Sequence, residues 1–236
     1  MSAPRLVLSC HADTGFRTHR LRVTRRGDFC GHLDNFVGVH AVMRAYFSGE
    51  MDQENVAIEL TYGEETGMAG AREVLARLSP ADTVIVVDVT GAPTAADITI
   101  EKCVNKEMQS FLREALRGIR YDLYEGCPDP VASADETDVY REKVSRVCFL
   151  GIPCTGGDYN AGEVTARKAS VEAASRALIR IARHFRKHGR SGKPAGSVRE
   201  RRRVCGKKAG RTEKEDGKDF EPPDRASTAD GSQFRL

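Results

Sequence analysis

Tryptophan is absent from this 236-residue chain, and aromatic residues make up only 6% of it. Its core must be built mainly from aliphatic side chains. No apolar run approaches the roughly 20 residues needed to span a membrane, so a membrane-spanning helix is not expected. The seven cysteines are odd in number and include no C-x-x-C pair. In a chain of this size that argues for free thiols in a reducing compartment, and the expected location is cytoplasmic. The run before Cys10 is too short for a signal peptide and reads better as a buried strand. Internal repeats are also missing. A strongly one-signed body is missing too: residues 187–236 hold 14 Lys and Arg against 8 Asp and Glu, which leaves the remainder slightly acidic beneath an overall net charge of +3. The length allows one sizeable core.

What is present is an alternation of apolar strand-like runs and helical stripes. Arg5–Cys10 is a short apolar run that ends on His11-Ala12-Asp13. His19–Arg25 reads as part of a hairpin turning at Arg26-Gly27-Asp28. Phe36, Val39, Met43 and Tyr46 or Phe47 recur at helical spacing, with Asp34 or Asn35 able to cap that helix. Val56, Ile58 and Leu60 alternate as in a strand. Gly63 stops this run before Glu64 and Glu65, and a helix follows with Met68, Ala71, Val74, Leu75 and Leu78 on its core face. Thr83–Val89 is nearly all β-branched and reads as a strand buried on both faces. Its single charge, Asp88, is costly there unless paired or bound to a cation. Ile98–Val104 and Ile119–Tyr124 read as strands flanking a helix over Lys106–Arg117. Ser133–Asp138 is a polar loop leading into a short helix, and Val147–Pro153 is a last strand. Val164, Val171, Ala174, Leu178, Ile181 and Phe185 mark a long final helix. This order predicts an α/β three-layer sandwich over residues 1–186 with a mostly parallel central sheet. Residues 187–236 are expected to form a disordered basic tail, with nucleic-acid or acidic-partner contact confined to weak binding through Arg201–Arg203 with Lys207 and Lys208.

Open α/β sheets place ligands at the carboxyl ends of their strands, and this is where the chemistry-bearing residues collect. His11 with Asp13, Asp34, Glu64 with Glu65, and Asp88 follow one another at or just after successive strand ends. Each has a bland reading as well: a helix cap for Asp34, a solvated Glu-Glu at a helix start for Glu64 and Glu65. As an ordered set, S-C-H-A-D, H-L-D-N-F-V-G-V, Y-G-E-E-T-G-M-A-G-A and V-V-D-V-T-G resemble the co-catalytic zinc exopeptidases, the clan of aminopeptidases, carboxypeptidases and deacylases. The later S-A-D-E-T-D-V-Y and F-L-G-I-P-C are similar to the end of that clan's catalytic domain.

The resemblance implies roles. His11 and Asp88 would bind one zinc, Asp34 would bridge two, and Glu65 would bind the second. Asp13 would orient the His11 ring, and Glu64 would be the general base for a metal-activated water. Asp135 and Asp158 would contribute to substrate binding. The metal would be one or two zinc ions, with manganese or cobalt also suited to carboxylate-rich donors. The substrate would be a small peptide or acyl-amide, and a homo-oligomer is an open expectation. The chain departs from the clan where its last histidine ligand should stand, because that loop reads G-D-Y-N-A-G and puts Asn160 there. Asp158, Cys154 or His32 would be the substitutes. The departure keeps a second reading open: a catalytically weak or inactive exopeptidase-like scaffold that binds a ligand or partner.

Overall fold

The strands with no polar face form the centre of the molecule. A computed structural model describes residues 3–132 and 134–189. In chain order these form β1 (Leu6–His11), β2 (Leu21–Val23), β3 (Phe29–Gly31), α1 (Phe36–Phe47), β4 (Val56–Thr61), a 3-10 turn (Glu64–Thr66), α2 (Ala69–Arg77), β5 (Thr83–Thr90), β6 (Ile98–Glu101), α3 (Lys106–Ala115), β7 (Tyr121–Leu123), α4 (Glu136–Tyr140), β8 (Arg146–Thr155), β9 (Val164–Ala166) and α5 (Lys168–Gly189). All eight residues of β5 are buried, as expected of a β-branched strand with no polar face. It pairs in parallel with β1 on one side and β8 on the other, and β1 pairs in parallel with β4. The order β2-β3-β9-β8-β5-β1-β4 completes the main path, and β6 and β7 branch from β8.

The pleat sends alternate side chains to two cores. Leu6, Leu8, Ile85, Val87, Leu150 and Ile152 pack under α1, α3 and α5, while Val7, Val84, Val86 and Phe149 pack under α2 and α4. A fully buried Leu, Ile or Val contributes about 1.5–3 kcal/mol, so these two faces stabilise the three-layer α/β architecture the sequence predicts.

Several details differ from expectation. Val164 does not belong to the last helix; it starts β9, which pairs antiparallel with β3 and β8. The inward face of α1 is Val37, Gly38, Ala41, Val42 and Ala45, one step round from the bulky stripe. Small residues win there because α1 lies close against α5, where the Ser175 hydroxyl donates to the Ala41 carbonyl at 3.0 Å. At β4, Leu60 is 46% exposed because β4 is an edge strand with one face only partly covered. Helix α5 runs to Gly189, three residues beyond the expected boundary. The expected tail lies outside the described residues from position 190 onward. No helix among the described residues is long and apolar enough to cross a membrane.

Candidate metal centre

Strand parity builds the centre. On β1, Ser9 and His11 share the face of Val7; on β5, Asp88 shares the face of Val84 and Val86. Ser9 lies opposite Val86 in the parallel register, which puts His11 level with Asp88. The His11 Nε2–H donates to Asp88 Oδ2 at 3.0 Å. Asp34 Oδ1 lies 3.1 Å from the same nitrogen but makes no aligned hydrogen bond. Asp34 is held by its neighbours. Leu33 is fully buried, and the Asn35 amide donates to the Val87 carbonyl at 2.9 Å and to Cys10 Sγ at 3.3 Å. Asn35 occupies the N-cap position of α1 without capping it, so helix capping does not account for this pair. Gly38 makes room for Asn35, since a Cβ there would sit 1.9 Å from Asn35 Oδ1.

Glu64 and Glu65 form the 3-10 turn beyond β4. Gly63 enters it in the left-handed region at φ 68°. At Gly70 the start of α2 lies so close to β4 that a Cβ would meet the Tyr62 backbone at 2.5 Å. Glu65 Oε1 accepts the Gly15 N–H at 3.0 Å, and the Glu64 N–H reaches Asp13 Oδ1 at 3.5 Å. Asp13 Oδ1 also lies 3.5 Å from His11 Nδ1. Two groups of donor atoms, His11–Asp34–Asp88 and His11–Glu64–Glu65, each fall within 4.8 Å of one another.

Burial disfavours a charged His11 ring, yet the Asp88 and Asp34 carboxylates push its pKa up to about 12. Burial raises Asp88 to about 7, against the pull of His11. Glu64 is raised to about 8 by burial and by the Asp88, Asp34 and Glu65 carboxylates, with His11 opposing. Glu65 is raised by burial and by Asp34. Asp34 and Asp88 are buried and Glu64 and Glu65 half-buried, and carboxylates crowded this closely favour a cation. His11 Nδ1 and Asp34 Oδ1 are buried without hydrogen-bond partners. One imidazole with carboxylate oxygens is a donor set that suits zinc, so the residues present fit the ion.

A cavity of about 270 Å³ opens beside the cluster. Asp34, Glu64, Glu65 and Asp88 line it, as do Asn160 and Asp135. Asn160 is exposed in the loop after β8. Asp135 also caps α4, accepting the Thr137 N–H at 2.7 Å, and pairs with Lys102 at 2.9 Å. Asp158 is exposed and does not line the cavity; its carboxylate accepts the Asn160 N–H at 2.9 Å and holds that turn. Neither of the other proposed substitutes for the missing histidine joins the donor groups. His32 stacks on Phe16 with ring centroids 4.0 Å apart. Cys154 is buried among carboxylates, first by its burial and then by Asp34 and Asp88 kept well away from the thiolate form.

The sequence did not single out three further carboxylates. Asp129 accepts from the Gly91 N–H at 2.7 Å and the Tyr159 hydroxyl at 2.8 Å. Glu101, at the end of β6, accepts from the Thr99 hydroxyl at 2.5 Å. Glu136 lies under β1 and β4, accepting from the Ser9 hydroxyl at 2.7 Å and from Thr61. Asp129 and Glu101 line the cavity. The C-P-D-P setting of Asp129 was the one local signal, an acid fixed between two prolines in a loop. With these, seven of the described lining residues are Asp or Glu and none of the described ones is Lys or Arg.

No protein-family model and no curated protein matches the chain. Solved structures do. The dodecameric PhTET1-12s matches with a TM-score of 0.59 at 12% identity, covering 77% of this chain and 83% of that one. An aminopeptidase from Thermotoga maritima matches with a TM-score of 0.53 at 17% identity, covering 67% of this chain and 48% of that one. The aminopeptidase APDkam598 from the archaeon Desulfurococcus kamchatkensis matches with a TM-score of 0.54 at 17% identity, covering 77% and 56%. The chain thus spans about half the length of those two aminopeptidases. At such identities the likeness is one of fold alone, the α/β fold that these solved structures share.

Proposed function

We propose that the chain is a zinc-dependent hydrolase of the aminopeptidase type, cleaving an amide bond in a small peptide. The observation that carries this reading is the convergence of His11, Asp34 and Asp88, from three separate segments, beside the Glu64–Glu65 pair. His11, Asp34 and Asp88 would hold the first ion. Asp34 and Glu65 would face a second, toward which Asn160 offers only an amide oxygen, so the first position is the better one. A bound ion supplies Lewis acidity and lowers the pKa of a water toward neutrality. Asp13 Oδ1, 3.5 Å from His11 Nδ1 without an aligned hydrogen bond, would orient the ring after a small side-chain shift, the carboxylate–histidine arrangement that fixes tautomer and orientation. Glu64, with its carboxyl near 8 in the metal-free protein, is the base that takes a proton and returns it to the leaving nitrogen. The acidic wall, with no Lys or Arg among its described lining residues, supports recognition of an amine end rather than a carboxylate, and Asp135, already paired with Lys102, would be one contact. Manganese or cobalt would also suit these donors.

The dodecameric neighbour supports self-association, and exposed Leu60 and Tyr62 at the β4 edge offer apolar surface for it. The described cysteines are all free, which supports a reducing compartment such as the cytoplasm. Asn160 favours the second reading, a binding scaffold without turnover. Hydrolysis of a panel of aminoacyl amides and dipeptides under added zinc, manganese or cobalt separates the two. Turnover in wild type that disappears in Glu64→Gln supports the hydrolase. Tight metal binding with no turnover on any member of the panel supports the scaffold.

A further inference from the structure

The sheet separates the acidic cavity from a second cluster of donor side chains. His11 and Asp88 project toward α2 and α4, while α3 and α5 cover the opposite face. On that opposite side His184 and His188 stand four residues apart on α5, the spacing that stacks side chains one turn above another. Their ring centroids are 4.2 Å apart. Glu114, on the last turn of α3, brings Oε2 to 3.5 Å from His184 Nε2. One donor atom from each of the three lies within 4.8 Å of the others. We infer that Glu114, His184 and His188 form a second, independent metal site that takes a divalent transition ion such as zinc.

Two imidazole nitrogens and one carboxylate oxygen make a three-ligand set that zinc accepts, with water at the fourth position. Tetrahedral zinc with bonds of about 2.0–2.1 Å sets its ligands roughly 3.3–3.4 Å apart, so small side-chain rotations close the site. The supporting residues restrict the search. Phe111 packs against the His184 ring at 5.0 Å, with Phe185 edge-on behind it at 6.5 Å. The His184 side chain is only 17% exposed, whereas that of Glu114 is 53% exposed. One donor is thus fixed by packing, while the exposed donors let an ion enter without any opening of the fold. Lys187 and Arg117 also act on His184, and their charge opposes a dication, so the affinity is moderate. The bound ion ties the end of α3 to the last turns of α5, a cross-brace near the end of the described chain.

The experiment uses the full chain purified without a histidine tag, stripped with chelator and titrated with zinc chloride by calorimetry. Variants are His188→Ala, Glu114→Gln and His11→Ala; the first two change exposed side chains and leave the Phe111 packing in place. Wild type should bind one equivalent more than His188→Ala, and Glu114→Gln should weaken that same equivalent. His11→Ala should keep it. Added zinc should also raise the melting temperature of His11→Ala but raise that of His11→Ala/His188→Ala much less. Equal zinc stoichiometry and affinity in wild type and His188→Ala would overturn the inference, as would loss of every equivalent in His11→Ala. Because the His11 and His188 sites are read from separate variants, failure of the cavity's metal leaves this test intact.

Discussion

Glu64→Gln tests the division of labour between the two adjacent glutamates. The substitution keeps size and shape but removes the ability to take a proton. If Glu64 is the base, turnover should fall by about 10²–10⁴, the usual worth of a positioned proton-transfer group, which is about 3–5 kcal/mol of barrier. The structure adds a second effect of opposite sign. A carboxyl held near 8 instead of 4.5 corresponds to about 5 kcal/mol of disfavoured ionisation, which partial solvent exposure screens to roughly 1–2 kcal/mol. This raised group stabilises the fold below about pH 4.5 and loses that contribution as pH rises through 8. A neutral Gln carries no such loss. The metal-free variant should therefore melt roughly 2–8 °C above metal-free wild type at pH 8–9, and show little difference near pH 4. Metal content should be unchanged, because Glu65 rather than Glu64 is the proposed ligand. The assays are steady-state hydrolysis, elemental mass spectrometry and calorimetry of chelated protein at several pH values. Unchanged turnover would refute the role of Glu64 as base. A variant less stable than wild type at pH 9 would refute the electrostatic reasoning.

Asn160→His restores an imidazole to the loop after β8 and should tighten or add one zinc equivalent on the Asp34–Glu65 side, read by calorimetry against wild type. In chelated wild type, Glu64, Asp88 and His11 all keep protons that the unfolded chain gives up above about 4.5, 3.8 and 6.5. Stability of the stripped protein should therefore fall from about pH 4 to pH 8 and above, and the zinc-induced rise in melting temperature should be larger at pH 8 than at pH 5.5. Glu136→Ala removes the acceptor of the buried Thr61 hydroxyl and one of the two partners of the Ser9 hydroxyl, which keeps Tyr140 at 2.7 Å, and should cost about 1–3 kcal/mol in urea unfolding. Glu136→Gln, which keeps a carbonyl oxygen, should cost less than half as much.

Legibility followed burial. β1 and β5 stood out because both faces of each are covered, which leaves uninterrupted apolar runs with a polar residue only where the site begins. β9 did not, because three residues beside a long helix carry no periodicity, and its pairing with β3 and β8 is a tertiary fact. The α1 phase was misread because close packing on α5 rewards Gly38, Ala41 and Ala45 over Phe36 and Tyr46. Around the cavity, His11, Glu64, Glu65 and Asp88 were readable only as an ordered set at or just after strand endings, since each alone has a bland reading. Glu101 and Asp129 were not, since only the antiparallel pairing of β6 with β8 and the loop beyond β7 bring them to the same wall. Asp158, named for its place in the loop where the last ligand is expected, sits outside the cavity lining with its carboxylate on the Asn160 N–H.

The most direct test of the central claim is metal content by elemental mass spectrometry on untagged wild type and His11→Ala, each assayed in parallel for aminoacyl-amide hydrolysis. The account predicts at least one zinc equivalent fewer in His11→Ala, and hydrolysis in wild type alone. Equal metal content in the two proteins, with or without added zinc, manganese or cobalt, would contradict it.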